Sequence, residues 1–283
     1  MGLTNRTCLS VWSRHKYFYD KTWTNADFIR FAARETGVNA VELLHRFWNP
    51  ETDIPQIEKA LQQEGLEVAC VGASNNFALP DAAERDSQLQ QIIDSVNIAD
   101  RFGAQVVRVF SGNLQEGLSF EQGRDGILEG LKKVAEYAGK KNVVLCLENH
   151  GLFAGKAGQV ASIIREVDSP SLRSTFDMGN FLLVDENPNE AMEQSLPLIG
   201  HVHCKDFVQV EEGFQGDTYT ALSGSVYTGT VIGEGSVDLP HLLGRLHENG
   251  YGGWITVEFE GSEEQKLGSI RSVANLKRIL EKL

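Results

Sequence analysis

The sequence contains no long apolar run, and this absence restricts what the chain can be. No apolar run approaches the roughly 18 residues that a membrane-spanning helix requires. Arg6, Arg14 and Lys16 interrupt any apolar stretch near the first residue, so we expect neither a signal peptide nor a membrane segment. A reduced, cytoplasmic location is therefore our expectation.

Cysteine is also scarce. The four cysteines are widely scattered, and no Cys-x-x-Cys pair occurs among them. Cys8, Cys70 and Cys146 fall inside apolar runs, where a free cysteine behaves as a small hydrophobic residue. We therefore expect these three side chains to be buried in the core.

Basic residues are the minority among the charged side chains. The chain has 26 Lys and Arg against 39 Asp and Glu, which gives a net charge of −13 at pH 7. Binding to phosphate groups needs concentrated Lys and Arg. The composition thus argues against a nucleic-acid partner or an anionic membrane surface, and an acidic protein of this kind can attract cations.

Short apolar runs alternate with segments of helical periodicity along the whole chain. With 283 residues, of which 41% are hydrophobic, the chain has the size of one (β/α)8 barrel. The predicted strands are residues 8–12, 40–44, 67–71, 105–110, 143–147, 172–176, 199–203 and 254–257. Glycines where the intervening helices should end are Gly37, Gly65, Gly103, Gly139 and Gly250. This alternation predicts an α/β protein, a single TIM-barrel domain over residues 1–283.

One connection is unusually long. Residues 204–237 are rich in Gly, Ser and Thr and follow the seventh predicted strand. Loops of this length in compact domains are usually functional. We expect this segment to be an active-site loop that overhangs the mouth of the barrel.

Four successive strands end in side chains that can bind a metal ion. In a closed barrel, the ends of the strands surround one cavity. The strand ends supply Glu148 and His150, then Asp177, then His201, His203 and Lys205, and finally Glu258 and Glu260. The residue at the rim is the one able to reach a ligand, so we select His203 and Glu258. We expect His201 to be packed or hydrogen-bonded, and Glu260 to lie at the rim or in solvent.

The predicted cluster of Glu148, Asp177, His203 and Glu258 needs a cation. Three converging carboxylates repel one another unless a divalent ion neutralises them. Oxygen ligands with one imidazole suit a hard or borderline ion. We expect one divalent metal ion, Mn²⁺ first, with Mg²⁺, Co²⁺ or Zn²⁺ as alternatives, and open positions for two oxygens of a sugar.

Further residues near the strand ends are candidates for substrate contact. Lys205 could donate to substrate oxygens or form an ion pair, and His150 could touch substrate or orient Glu148. Arg108 lies within the fourth strand and is either a substrate contact or a buried charge paired with the carboxylates. The full set of substrate-binding candidates is Asn180, Lys205, His150, Arg108, Glu42 and His45.

The residues at these strand ends resemble the signatures of a known superfamily. The segments are Leu-Glu-Asn-His-Gly at 147–151, Phe-Asp-Met-Gly-Asn-Phe at 176–181, His-Val-His-Cys-Lys-Asp at 201–206 and Gly-Tyr-Gly-Gly-Trp-Ile-Thr-Val-Glu at 250–258. They look like those of the sugar phosphate isomerase/epimerase superfamily. This xylose isomerase-like TIM barrel group includes ketose 3-epimerases, hydroxypyruvate isomerases and inosose dehydratases. The resemblance implies a mononuclear metal on Glu148, Asp177, His203 and Glu258, with Glu148 and Glu258 as the acid/base pair.

The predicted function is that of a metal-dependent sugar isomerase or epimerase, which acts on a small ketose or keto-sugar through an enediolate. Asn180 and Gln209 stand where the ketose 3-epimerases carry a histidine and an arginine. A metal-dependent lyase or dehydratase that acts on a keto-sugar or inosose is therefore the alternative. The third possibility is a barrel that binds a sugar without catalysing a reaction on it. The partner is a small-molecule sugar, and a homo-oligomer is compatible with the sequence.

Endonuclease IV, a DNA-repair enzyme of the same group, is disfavoured. That enzyme needs extra histidines at the third and fourth strand ends to bind three zinc ions. Here residues 71–76 and 109–113 contain no histidine. The net charge of −13 also opposes DNA binding.

Overall fold

In the computed structural model of the chain, which describes residues 6–211 and 213–283, a closed barrel of parallel strands lies at the centre. The barrel strands are β1 (Thr7–Ser10), β2 (Ala40–Leu44), β3 (Glu67–Gly72), β4 (Val106–Val109), β5 (Val144–Glu148), β6 (Leu172–Asp177), β7 (Ile199–Cys204) and β11 (Ile255–Val257). Their order around the barrel is β1-β11-β7-β6-β5-β4-β3-β2. The predicted (β/α)8 barrel is confirmed.

The strands form where the apolar runs predict them because both of their faces are covered. In β5, Leu145, Cys146 and Leu147 have no exposed surface, as expected for a parallel strand between a barrel interior and a helix layer. β1 ends two residues earlier than the apolar run. The Oγ of Ser10 accepts a hydrogen bond from the backbone N–H of Trp12 at 3.2 Å, which starts a 3₁₀ turn.

The helices lie outside the barrel and pack on it with their apolar faces. They are α1 (His15–Tyr19), α2 (Asn25–Phe31), α3 (Ile54–Glu64), α4 (Ala82–Phe102), α5 (Phe120–Lys140), α6 (Gly151–Ala154), α7 (Ala157–Val167), α8 (Pro188–Ser195), α9 (Leu239–Glu248) and α10 (Gln265–Leu280). Gly103 ends α4 with φ 73°, as its position predicts. Gly139 does not end α5, which continues to Lys140, and Asn142 takes the positive φ instead.

The segment expected to be a long loop contains regular structure. It includes β8 (Phe207–Val210), β9 (Tyr219–Thr220) and β10 (Val226–Gly229), which form an antiparallel sheet in the order β8-β10-β9. The buried carboxylate of Asp206 accepts backbone N–H groups from Gly233, Gly235 and Val237 at 2.9–3.1 Å. One side chain thus ties the beginning of the segment to its end.

The burial of the cysteines and the composition of the helices agree with the sequence-based expectations. Cys8, Cys70 and Cys146 are buried, as expected, and Cys204 is buried as well. Within residues 6–211 and 213–283, none of the helices is both long enough and apolar enough to cross a bilayer.

Candidate metal centre

Four side chains converge at the carboxyl ends of neighbouring strands. Glu148 ends β5, Asp177 ends β6, His203 lies in β7 and Glu258 follows β11. Because β6 and β7 pair in register, Asp177 stands beside His203. One ligand atom from each of the four lies within 4.8 Å of the others, and all four residues are buried. The structure therefore brings together the four residues that the sequence predicts as ligands.

His203 directs one ring nitrogen at the carboxylates. Its Nδ1 lies 3.7 Å from Oε2 of Glu148 and 3.8 Å from both Oδ2 of Asp177 and Oε2 of Glu258. Its Nε2 lies 3.0 Å from Oε2 of Glu42. Among the described residues, neither His203 Nδ1 nor Asp177 Oδ2 has a hydrogen-bond partner. Buried polar atoms without partners are unfavourable, and a divalent ion between them would satisfy both, so these residues fit a metal ion.

Hydrogen bonds fix the orientation of Asp177. Its Oδ1 accepts the backbone N–H groups of Gly179 and Asn180, each at 2.9 Å. The side chain of Asn149 also forms two hydrogen bonds with the backbone of Asp177. It accepts the N–H of Asp177 at 2.7 Å and donates to its carbonyl at 3.0 Å. Because Oδ1 is occupied, Oδ2 is the oxygen left for the centre of the cluster.

The pKa values reflect crowded negative charge. Burial, with the charges of Glu148 and Glu258, raises the pKa of Asp177 to about 6. Burial also raises the pKa of Glu148. Although burial alone would lower the pKa of His203, the carboxylates of Glu42 and Glu258 raise it to about 10. A divalent cation at the centre would oppose these upward shifts, since it favours the ionised carboxylates and the neutral imidazole.

Lys205 partly neutralises the cluster from one side. Its Nζ lies 2.7 Å from Oε2 of Glu258 and 3.3 Å from both Oδ2 of Asp177 and Oε2 of Glu260. Despite the burial of Glu258, the charges of Lys205 and His203 lower its pKa to about 2. The ammonium group is therefore an ion-pair partner of the carboxylates at the cavity wall.

Of the two placements expected for Glu260, the rim of the barrel mouth and solvent, the structure shows the rim. Its side chain is only 9% exposed, so it does not project into solvent. It accepts a hydrogen bond from Nε1 of Trp12. Just after β11, Phe259 donates its N–H to Oγ of Ser13 at 2.9 Å, and the next residue, Glu260, lines the cavity described below.

A cavity, here called the central cavity, opens above the cluster. Its walls are Trp12, Leu44, Arg46, Ser74, Arg108, Phe110, Glu148, His150, Lys205, Glu258 and Glu260. Of the residues predicted for the site, Glu148, Glu258, Lys205, His150 and Arg108 therefore face this space. Trp12 and Phe110 are wall residues of the aromatic kind that packs against the C–H faces of a sugar.

Asn180 and Arg108 contact Glu148. Asn180 Nδ2 donates to Oε1 of Glu148 at 3.1 Å. The Nε of Arg108 lies 3.1 Å from Oε2 of Glu148, and its guanidinium also donates to the carbonyl of Ala73 at 2.7 Å. Both side chains contact the carboxylate, so Arg108 is a buried charge paired with Glu148 that also lines the cavity.

Glu42 and His45 do not line the central cavity. Glu42 is fully buried, and its Oε2 lies 2.8 Å from Nε2 of His201 and 3.0 Å from Nε2 of His203. It contacts the histidines rather than the cavity, and His201 is hydrogen-bonded as expected. His45 points toward the helix layer, where its Nδ1 lies 2.9 Å from Oγ of Ser95 on α4.

The sequence-based prediction does not include several of the wall residues, among them Arg46, Ser74 and Phe110. Arg46 follows β2, Ser74 follows β3 and Phe110 follows β4. Each stands just beyond a strand end, which is the same positional signal that singles out Glu148. Their residue types are not metal ligands, so a search for metal chemistry passes over them.

Comparisons with known proteins agree with this geometry. A family model described as a xylose isomerase-like TIM barrel matches residues 31–279. An inosose dehydratase from Clostridium botulinum is 24% identical over 262 residues, which cover 84% of this chain and 87% of that protein.

Two solved structures show the same fold. A D-tagatose 3-epimerase-like protein superposes with a TM-score of 0.78 at 22% identity, covering 98% of this chain and 97% of the other. A xylose isomerase-like TIM barrel protein from Mycobacterium smegmatis in complex with magnesium has a TM-score of 0.70 at 18% identity. It covers 93% of this chain and 90% of the other.

Proposed function

Because the chain belongs to the xylose isomerase-like TIM barrel family, we propose that it is a divalent-metal-dependent sugar isomerase or epimerase, which acts on a small ketose or keto-sugar through an enediolate. The observation that carries this proposal is the convergence of Glu148, Asp177, His203 and Glu258 beneath an open cavity. Two atoms of this cluster, His203 Nδ1 and Asp177 Oδ2, are buried without a hydrogen-bond partner among the described residues.

The four converging residues would hold the metal ion. His203 would bind through Nδ1 and Asp177 through Oδ2, the two cluster atoms without hydrogen-bond partners among the described residues. A divalent cation there would polarise a substrate carbonyl and stabilise the negative charge of an enediolate. Mn²⁺ is our first expectation, and the magnesium complex of a related barrel supports Mg²⁺ as an alternative.

Glu148 and Glu258 would move the proton. They end β5 and follow β11, and β6 and β7 lie between those two strands, so the carboxylates stand on separate sides of the cavity. One carboxylate can take the proton beside the substrate carbonyl, and the other can return a proton from its own side. Return to the opposite face of the same carbon inverts that centre, whereas return to the neighbouring carbon moves the carbonyl.

Other cavity residues would bind and orient the substrate. The buried ammonium of Lys205 lies beside Glu258 and lines the cavity, so it can donate to a substrate oxygen. His150 lines the same space and can donate or accept there. Asn180 and Arg108 would act through Glu148, whose carboxylate they hold.

A metal-dependent dehydratase or lyase that acts on a keto-sugar or inosose is the second candidate. The similarity to an inosose dehydratase over 84% of the chain favours it, and so does Asn180 in place of the epimerase histidine. The first step is the same proton abstraction beside a carbonyl. The outcome differs because a hydroxyl group then leaves from the adjacent carbon as water, with Lys205 as a nearby hydrogen-bond donor.

Incubation of the Mn²⁺-loaded protein with a panel of ketoses and inososes in D₂O, followed by NMR, tests the proposal. An isomerase or epimerase yields a new sugar with deuterium on carbon, whereas a dehydratase yields an ultraviolet-absorbing enone. Thermal stabilisation by a sugar without any product would indicate a binding protein and would overturn both candidates.

The variant Glu258→Gln tests the site itself. Because the amide cannot accept the proton, we expect turnover to fall by about 100-fold or more, with the fold retained in circular dichroism. Glu116→Gln makes the same change at an exposed position and is the matched control. Full activity in the Glu258→Gln protein would contradict the proposed site.

A further inference from the structure

Arg46 is presented to the central cavity by a turn that is anchored on both sides. It is the middle residue of the 3₁₀ turn His45–Phe47, which directly follows β2. Before it, His45 is held by Ser95, with Nδ1 to Oγ at 2.9 Å. After it, the carbonyl of Phe47 accepts a hydrogen bond from Nδ2 of the buried Asn25 at 2.7 Å. The neighbours thus face the protein, and Arg46 lines the cavity.

The guanidinium of Arg46 has no acidic partner in the part of the chain that the structure describes. Some other exposed arginines pair with carboxylates, as Arg34 does with Glu64 and Arg101 with Glu58. Within residues 6–211 and 213–283, no carboxylate oxygen lies within ion-pair distance of Arg46. Because Arg46 lines the central cavity and forms no ion pair with the described residues, its guanidinium is available to a ligand there.

Arg46 stands where the central cavity joins a second one. This side cavity is bounded in part by Asn76, Gly112 and Asn113. Arg46, Ser74, Phe110 and His150 line both cavities. A ligand that touches the metal-binding carboxylates and extends outward on this side therefore passes Arg46.

The other cations of the central cavity are already engaged. Lys205 Nζ lies 2.7 Å from Glu258 and Arg108 Nε lies 3.1 Å from Glu148. One free guanidinium matches one carboxylate in charge and in its planar, two-pronged geometry. A phosphate ester carries more charge and is usually bound by several donors together.

We infer that Arg46 binds a carboxylate at the end of the substrate remote from the metal centre, so that the substrate class is an acidic keto-sugar such as a ketohexuronate. This inference rests on the proposed function, because it takes the metal-binding end of the same substrate as given. Arg46 thereby acts as a specificity-determining residue: it distinguishes a carboxylate from the hydroxymethyl group of a neutral ketose.

Three probes with one carbon skeleton test this inference in the Mn²⁺-loaded protein: D-fructuronate, D-fructose and D-fructose 6-phosphate. We expect tighter binding of the uronate than of fructose by calorimetry, and a larger kcat/KM if turnover occurs. In Arg46→Met, the affinity for the uronate should fall by about 10- to 100-fold, at least tenfold more than the affinity for fructose. Arg46→Lys keeps the charge but lacks the two parallel N–H donors of the guanidinium. Its affinity for the uronate should therefore lie between those of the wild type and Arg46→Met.

The matched control is Arg165→Met. Arg165 is exposed near the end of α7, so its loss changes the net charge equally and should leave the preference for the uronate intact. An equal loss for all three probes in Arg46→Met, or a wild-type preference for fructose or its phosphate, would overturn the inference. Arg46-dependent binding of the uronate without any turnover would refute the proposed function alone.

Discussion

His203 is held by protein on one side and faces the candidate metal site on the other. Glu42 contacts its Nε2 at 3.0 Å, and Nδ1 faces three carboxylates. A carboxylate behind a metal-binding histidine fixes the ring and raises its basicity, and loss of such a partner typically lowers metal affinity. Glu42 is therefore a positioning residue for the metal, although its sequence position suggests a substrate contact.

The variant Glu42→Gln should bind Mn²⁺ about 10- to 100-fold more weakly than the wild type. The amide keeps the size of the side chain and loses the charge that orients His203. Calorimetric titration of the metal-free protein with Mn²⁺ measures this directly. Glu51→Gln is the control at an exposed position, and equal affinities in the two variants would remove Glu42 from this role.

Metal binding should also depend on pH. The pKa of His203 is about 10 and that of Asp177 about 6, so at pH 7 the ring must lose a proton before Nδ1 can bind a cation. Below pH 6, Asp177 must lose one as well. The affinity for Mn²⁺ should therefore fall by about tenfold per pH unit from pH 8 to 6, and more steeply below pH 6. Calorimetry in buffers of different ionisation enthalpy counts the protons released, and a pH-independent affinity would contradict these assignments.

At the scale of the element, Asp206 connects the beginning of the segment after β7 to its end. Its carboxylate accepts three backbone N–H groups from the end of the segment. Side chains of the segment line a cavity with Trp12, and Lys16 forms an ion pair with Asp217 at 2.7 Å. The small sheet is thereby kept beside the barrel mouth.

Asp206→Ala should loosen this element and leave the barrel strands intact. Three N–H groups lose their acceptor, and buried unsatisfied donors cost about 1–3 kcal/mol each. Hydrogen exchange should become faster in residues 207–210 and 226–237 while β5 and β6 keep their protection. Asp86→Ala, on the exposed face of α4, is the control. Unchanged exchange in the segment would show that other contacts hold it.

At the scale of the whole molecule, the cluster stores unfavourable electrostatic energy in the absence of a cation. The chain carries a net charge of −13, and the converging carboxylates are buried at its centre. A ligand that binds only the folded state stabilises it by mass action. The metal ion should therefore support the stability of the barrel as well as its chemistry.

Removal of the metal with EDTA should lower the thermal midpoint by several degrees, and Mn²⁺ should restore it. A metal concentration about a hundred times the Kd adds about 2.7 kcal/mol to the free energy of unfolding. Differential scanning calorimetry measures the shift. Asp177→Asn loses one ligand oxygen and should show a smaller response, so an equal response in both proteins would place the stabilising metal elsewhere.

The sequence by itself determines the barrel and the positions of its polar strand ends. Apolar runs such as residues 143–147 are buried on both faces, and this pattern is visible without a structure because burial selects residue type locally. The same reasoning selects Glu148, Asp177, His203 and Glu258, since the carboxyl ends of parallel strands meet at one mouth. The strands of the 204–237 segment are not predicted by this reasoning because they have only two to four residues each, too few to show a period.

Only the tertiary structure decides which side chains face the cavity. Glu42 lies within β2 and Arg46 just beyond its end, yet Glu42 contacts His203 and Arg46 lines the cavity. Glu260 lines the cavity, where Trp12 and Lys205, both far from it in the chain, contact its carboxylate. These outcomes depend on contacts between residues far apart in the chain, and such contacts leave no periodic trace in the sequence.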